Sequence, residues 1–337
     1  MPTIKINLTQ QELQHLHKNG ELVITFGNNV EPITSIDTNV QKMTYFELIS
    51  NRINQLKETG NLRTAETYRA ALNQFSRFRN GLDLSLADVT PEVMEQFQAY
   101  LRNRNLTMNT VSFLMRILRS AYNRGVENGL VADCRPFKNV YTGNARTQKR
   151  ALTLEQLLDI KKLILVDRKQ AFSRDMFLLS FFLRGMSFVD MAYIKHSDLH
   201  DGRLTYKRRK TGQMITIRWE QPMQDIVDRY PNPTGKYMLP IIIKLNGKER
   251  NQYRHRQTII NKELKEIGKM AAINVPLSMY CSRHTWATVA RDLQVPMNVI
   301  SRAMGHTNER TTEIYIRSID INKIDKANEQ IINSLWM

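Results

Sequence analysis

The stretch Leu277–Ile316, LSMYCSRHTWATVARDLQVPMNVISRAMGHTNERTTEIYI, organises the reading of this chain. It places Arg283, His284, His306 and Tyr315 within forty residues. Trp286, Ala287, Val289 and Ala290 make one apolar helical face, and Val299, Ile300, Ala303 and Met304 make a second. Gly305 follows the last periodic residue, where a glycine ends a helix. Thr311 and Thr312 then precede a short apolar-aromatic run that carries Tyr315. A guanidinium, two imidazoles and a phenol on successive helices can surround one anion. The phenol would be its nucleophile, the arginine a planar fork on its oxygens, and the imidazoles hydrogen-bond donors. A phosphodiester suits that set. Singly, each residue has a plainer reading: Arg283 on the surface, His306 as a helix cap, Tyr315 in a core. The ordered set points to chemistry.

Arg283-His-Thr-Trp-Ala-Thr, then Met304-Gly-His306, then Tyr315 nine residues later, resembles the C-terminal signature of the phage-integrase family of tyrosine recombinases. The resemblance covers roughly Thr44 to Trp336. It implies a mainly α fold with a small β-hairpin or sheet. It further implies a two-domain DNA clamp: an N-terminal helical core-binding (SAM-like) bundle and a mixed α/β catalytic domain. One departure stands out. The residue three before the second catalytic arginine is usually His in that family, and here it is Tyr280. A phenol, with an ordinary pKa near 10 against about 6.5 for imidazole, donates hydrogen bonds but accepts protons poorly near neutrality.

The bulk properties agree with a polyanionic partner. The 337 residues allow two domains with real cores. Lys plus Arg is 49 and Asp plus Glu is 32, for a net charge of +17 and a pI of about 9.9. Such an excess steers association with phosphates, although ribosomal and membrane-surface proteins share it. No apolar run approaches a membrane span, and the N-terminus lacks a signal-peptide core. Cys134 and Cys281 are too few for a disulfide framework. These features suit a reduced, cytoplasmic protein.

Residues 1–40 form an N-terminal extension of uncertain role. Ile4, Ile6 and Leu8, and later Leu22, Ile24 and Phe26, alternate as short strands do, with Gln10–His17 as a helical stretch between them. His15 and His17 have no companion ligands, so no metal is expected. Residues 41–138 read as the bundle. Thr44 and Glu47 make a capping box ahead of Phe46, Ile49, Ile53 and Leu56. A second helix runs through Tyr68, Ala71, Leu72, Phe75 and Phe78. Thr90-Pro91 opens a third, and a fourth extends from about Met108 to Asn128. Arg69, Arg116 and Arg119 are its candidate DNA contacts, against the alternative of a solvated basic surface. Residues 139–150 read as a linker, and Thr153 with Gln156 caps the first helix of a domain spanning 151–337.

In that domain Arg184 ends the apolar run Met176–Leu183, as a snorkelling terminus or a functional charge. The resemblance makes it the first catalytic arginine. The acid that supports it would be Asp190, about three residues later than is common. Alternation on both sides of Lys210-Thr-Gly212 predicts a β-hairpin. Family usage puts a general-acid lysine at its tip, which selects Lys210. Lys207, Arg208 and Arg209 keep open the reading of a phosphate-gripping hairpin. His196 and His200 read as solvated, and Gln252–Arg256 as a further basic cluster. By the same resemblance Arg184, Arg283 and His306 surround the phosphate and Tyr315 attacks it; Tyr280, in the place of the usual histidine, is read as positioning phosphate, and the nearby His284 is a candidate base.

The implied function is site-specific recombination of double-stranded DNA through a 3′-phosphotyrosyl intermediate, with no cofactor, metal or ATP. The implied assembly is a homotetramer on paired sites, joined through a C-terminal helix carrying Ile321, Ile324, Ile331 and Leu335, with accessory DNA-bending proteins possible. A bacterial, nucleoid-associated location follows. The alternatives are a type IB topoisomerase and a non-catalytic DNA-binding protein on the same scaffold.

Overall fold

The computed structural model describes residues 43–145 and 150–306, with Thr312, Asn328 and Ile331. The expectations for residues 1–40, for Tyr315 and for Ile321, Ile324 and Leu335 lie outside the described residues. The chain divides into two compact units, 1–146 and 147–337. It is mostly helical, with one small antiparallel sheet.

The first unit holds α1 (Tyr45–Glu58), α2 (Leu62–Phe78), α3 (Pro91–Asn103) and α4 (Met108–Glu127). Its helix starts are written in local chemistry. The Thr44 hydroxyl accepts from the Glu47 amide while the Glu47 carboxylate accepts from the Thr44 amide. Thr90 and Thr107 cap α3 and α4. The inward faces meet around Phe75, which packs edge-on against Tyr45 and Phe97 at 5.6 and 5.0 Å between centroids. Burying each such side chain stabilises the fold by about 1.5–3 kcal/mol. Residues 139–145, read from sequence as linker, are instead laid along this bundle. Gln98 accepts from the Tyr141 amide, Ser112 donates to the Gly143 carbonyl, and Asn109 brackets Ala145. Side chains of the bundle satisfy those backbone groups, which periodicity cannot foresee.

The second unit is built around α6 (Arg168–Phe182), whose C-terminal half is apolar on every side because it is surrounded. Against it pack α8 (Gln221–Arg229), α9 (Glu249–Met270) and α10 (Met279–Asp292); α5 (Leu154–Lys162) and α7 (Phe188–Tyr193) lie before and after it in the chain. The sheet runs β1 (Leu199–His200), β2 (Arg203–Lys207), β3 (Met214–Arg218), with Leu204 opposite Ile217 and Tyr206 opposite Ile215. It exceeds the expected hairpin by the short β1. One buried charge, Asp175, is held by Arg174, Arg229 and the Tyr230 hydroxyl, so α6 and α8 share a satisfied ion network. α11 (Met297–Ala303) follows α10. Ala287, Ala290, Ile300 and Met304 close a small core between α10 and α11. Val299 departs from the expected face and is 48% exposed. Ser301 takes the buried place instead, because the short helix turns Ile300, Ser301 and Met304 inward.

Candidate active site

Three chain reversals bring Arg184, Arg283, Lys210 and His306 into one region of the second unit. The first follows α6: Arg184 and Gly185 both adopt left-handed backbone, φ 57° and 70°. An arginine there carries strain of order 1 kcal/mol. At Gly185 the reason for glycine is visible. A Cβ would stand 2.7 Å from Cα of Arg283, so α10 crosses this turn with no room for a side chain. Gly185→Ala is therefore expected to cost roughly 2–4 kcal/mol from overpacking and backbone strain, and to displace Arg283. Urea unfolding checks this; a variant as stable as the parent would mean the two backbones part freely.

Arg283 is 5% exposed. Its Nη1 donates to the Gly185 carbonyl at 2.8 Å and its Nη2 to the Met304 carbonyl at 2.7 Å. Beside it, Ser282 donates to the Phe177 carbonyl at 3.1 Å, fixing α10 on α6. The guanidinium is thus oriented by fixed carbonyls rather than left to swing, as a planar fork for oxygens requires.

The second reversal is Met304-Gly305-His306. Gly305 has φ 66°, and a Cβ there would meet Ile215 at 2.7 Å. His306 follows, with Nε2 2.9 Å from Nη2 of Arg283 and Nδ1 2.9 Å from Oγ1 of Thr312. Arginine has only donors, so Nε2 accepts and the ring proton sits on Nδ1, donated to Thr312. Burial first, then Arg283, Arg208 and Lys210, press the His306 pKa down from 6.5 to about 4. The ring is neutral near pH 7. As pH falls the unfolded chain takes up this proton first, so stability is expected to decline between about pH 6.5 and pH 4. His306→Gln should flatten that slope in denaturation measurements across the window. An unchanged slope would assign it to other groups.

The third reversal is the hairpin tip, residues 208–213. Strand parity sorts its basic residues. Leu204, Tyr206 and Arg208 face inward, while Lys207, Arg209 and Lys210 are exposed. Arg208 is 7% exposed and its Nη1 donates to the Gly305 carbonyl at 2.7 Å; it ties the hairpin to the His306 turn. The Arg209 guanidinium lies 3.9 Å above the Tyr193 ring. Lys210 is close enough for its charge to act on His306. Asp190 is buried, and its carboxylate accepts from the Ser187 hydroxyl at 2.6 Å and the Arg209 amide at 2.9 Å. It anchors α7 to the hairpin and makes no bond to Arg184, whose own Nη1 reaches the Thr216 carbonyl at 3.4 Å.

Tyr280 stands in the first turn of α10, 54% exposed, its ring edge-on to His284 at 5.0 Å. It is not a core residue. In the first unit Arg69, Arg116 and Arg119 are exposed, and the last two line a cleft with Arg52, Arg124, Tyr68 and Ser120. The residues that sequence reading passed over are Gly185, Tyr206 and Thr312. Period-2 alternation through Leu204 was the signal for Tyr206 and for the inward Arg208; nothing local marks the other two.

Among the described residues no group of three or more His, Cys, Asp or Glu could hold a metal ion, and no helix is long and apolar enough to cross a membrane.

The fold agrees with comparisons to known proteins. Residues 44–140 match the phage integrase SAM-like domain, and residues 153–320 match the phage integrase family. The chain belongs to the phage integrase family of tyrosine recombinases. A tyrosine recombinase of Pseudothermotoga lettingae is 22% identical over 277 residues, 79% of this chain and 91% of that protein. Tyrosine recombinase XerA of Pyrococcus furiosus is 23% identical over 227 residues, 66% of this chain and 74% of that protein. The fold is shared with a lambda integrase dimer bound to a COC′ core site, with a TM-score of 0.62 at 16% identity over 81% of this chain and 95% of that one. A Tn1549 transposon integrase in complex with circular intermediate DNA gives 0.61 at 14% identity, over 86% and 99%.

Proposed function

We propose that this chain is a site-specific recombinase that cuts and rejoins double-stranded DNA at short matching sites, for integration, excision or inversion. The observation that carries this reading is the buried Arg283–His306 pair, set beside Arg184 and Lys210 at the meeting of three turns. The phenol oxygen of Tyr315 attacks the scissile phosphorus. The bond to the 5′-oxygen breaks, and Lys210 supplies the proton that leaves with it. The proton of Tyr315 passes to water or His284. A 3′-phosphotyrosyl link and a free 5′-hydroxyl result, and the hydroxyl of a partner strand reverses the step. Bond energy is conserved, so the chemistry calls for no cofactor. Arg184, Arg283 and His306 hold the non-bridging oxygens; a positioned donor of this kind is worth roughly 10²–10³-fold in rate. An arriving phosphate favours the charged imidazole and should raise the His306 pKa from about 4. Lys210 is preferred over Lys207 because it stands at the exposed hairpin tip in the Lys210-Thr-Gly212 context.

Arg69, Arg116 and Arg119 contact DNA phosphates from the first unit, with Lys207 and Arg209 adding contacts at the hairpin. Arg208, given its bond to Gly305, acts on the site by holding its shape. Four protomers assemble on paired sites through the C-terminal segment, where Ile331 is helical and 62% exposed. The setting is the bacterial cytoplasm, on the nucleoid.

The test uses a nicked duplex library, in which cleavage releases a short strand and traps the protein. A covalent adduct at one sequence, with the DNA-bearing peptide mapped to Tyr315, is the expected result. Adducts at every sequence, with relaxation of supercoiled plasmid, would point to a topoisomerase. No adduct on any duplex would leave only a DNA-binding protein.

Tyr280 positions phosphate by donating a hydrogen bond. Tyr280→Phe is expected to slow single-turnover cleavage by roughly 3–10-fold, the weight of one neutral donor, and Tyr280→His to retain activity. If Tyr280→Phe were as inactive as Tyr315→Phe, positioning would be the wrong role.

A further inference from the structure

The inward face of β2 carries a phenol to which no role has been given. Tyr206 is 7% exposed, opposite Ile215 in the sheet. Buried phenols usually commit their hydroxyl; Tyr45 donates to the Leu118 carbonyl and Tyr122 to that of Ala132, whereas Tyr237, 6% exposed, packs its ring against Tyr193 and makes no hydrogen bond among the described residues. Among the described residues the Tyr206 hydroxyl has no hydrogen-bond partner. The charges that bear on it are the Asp190 carboxylate and the guanidiniums of Arg283, Arg208 and Arg184, the same cations that frame the proposed phosphate site. Burial first, and Asp190 next, push the phenol well above its usual range. It therefore remains protonated, a donor and not a base or nucleophile.

We infer that Tyr206 donates a hydrogen bond to a non-bridging oxygen of the scissile phosphate, as an additional catalytic residue supplied by the sheet. This rests on the recombinase reading above and adds a donor to it. The geometry argues for an anion as the missing partner: Ile215, opposite Tyr206, lies against Gly305, Arg208 two residues along bonds the Gly305 carbonyl, and Arg184 reaches the carbonyl of Thr216, so an oxygen drawn to these guanidiniums arrives beside this part of the sheet. The residue also explains why β2 turns a polar aromatic inward between Leu204 and Arg208.

The test is Tyr206→Phe in the full chain, which keeps the ring and removes one hydroxyl. Three quantities are compared with the parent: single-turnover cleavage of the nicked duplex, duplex affinity and melting temperature. Cleavage is expected to fall roughly 10–100-fold, the weight of a donor to a charged group, with affinity and melting temperature nearly unchanged. The decisive arm replaces each non-bridging oxygen in turn by methyl, using the two methylphosphonate diastereomers. The variant should lose nothing further on the diastereomer lacking the oxygen that Tyr206 holds, and should keep its deficit on the other. A variant cleaving at the parent rate would overturn the inference, and so would an equal deficit on both diastereomers, which marks a structural role. Parent protein that forms no adduct would instead count against the recombinase reading itself, so the two failures are separable.

Discussion

Replacing Tyr315 by phenylalanine is expected to abolish the covalent protein–DNA adduct while leaving duplex affinity within about twofold. The substitution removes one oxygen and no charge, and affinity for DNA is carried mainly by cations neutralising phosphates. Cleavage has no second route in the proposed chemistry. Tyr280 is exposed, but it precedes Arg283 on the same helix turn, not on the segment beyond His306. A denaturing gel after incubation with the nicked duplex reads the result directly. Normal adduct yield from the phenylalanine variant would remove Tyr315 from the role.

The second large effect belongs to Arg283. Arg283→Ala should lower single-turnover cleavage by roughly 10³-fold or more, since it removes a charge and a two-pronged grip at once. It should also destabilise the second unit by about 1–3 kcal/mol, because the carbonyls of Gly185 and Met304 and Nε2 of His306 lose their donor together. Arg283→Lys restores the charge but not the shape: one ammonium cannot reach Gly185, Met304 and His306 from a single position. Its expected signature is near-parental affinity with cleavage still depressed at least roughly 10²-fold. Both variants take a cation away from or off the plane of His306, so its pKa should rise from about 4 toward 6.5. Titration of the imidazole by NMR measures that shift. A lysine variant of full activity would mean that charge alone matters, and that the fork orientation set by the two carbonyls is idle.

The acid-side behaviour connects these effects. In the free protein His306 is a neutral acceptor of Arg283, with its proton held by Thr312. Both protons of Arg283 Nη2 are thus engaged, by Met304 and by His306. An anion at the guanidinium should raise the His306 pKa from about 4.

Much of this molecule was legible in its residue order, for a shared physical reason: the information is local. Capping boxes at Thr44 and Thr153 depend on residues three apart, and they begin helices where the sequence says. The stripe Ile49, Ile53, Leu56 and the face around Phe75 follow from helical period alone. Alternation on both sides of Lys210-Thr-Gly212 produces β2 and β3. The candidate cluster was named from a family resemblance carried by one stretch, which also picked out Arg184, Asp190 and Lys210 upstream. What only tertiary structure decided involves groups far apart in the chain meeting at van der Waals distance. Gly185 is glycine because the backbone of Arg283 passes where its side chain would be. Arg208, one of several interchangeable-looking cations, is a tie to Gly305 because strand parity turns it inward toward a turn nearly a hundred residues on. Asp190 holds a hairpin amide and not Arg184, and the proton of His306 is placed by Thr312 and Arg283 together. Periodicity says which side of a helix or strand faces inward. Only packing says what it meets there.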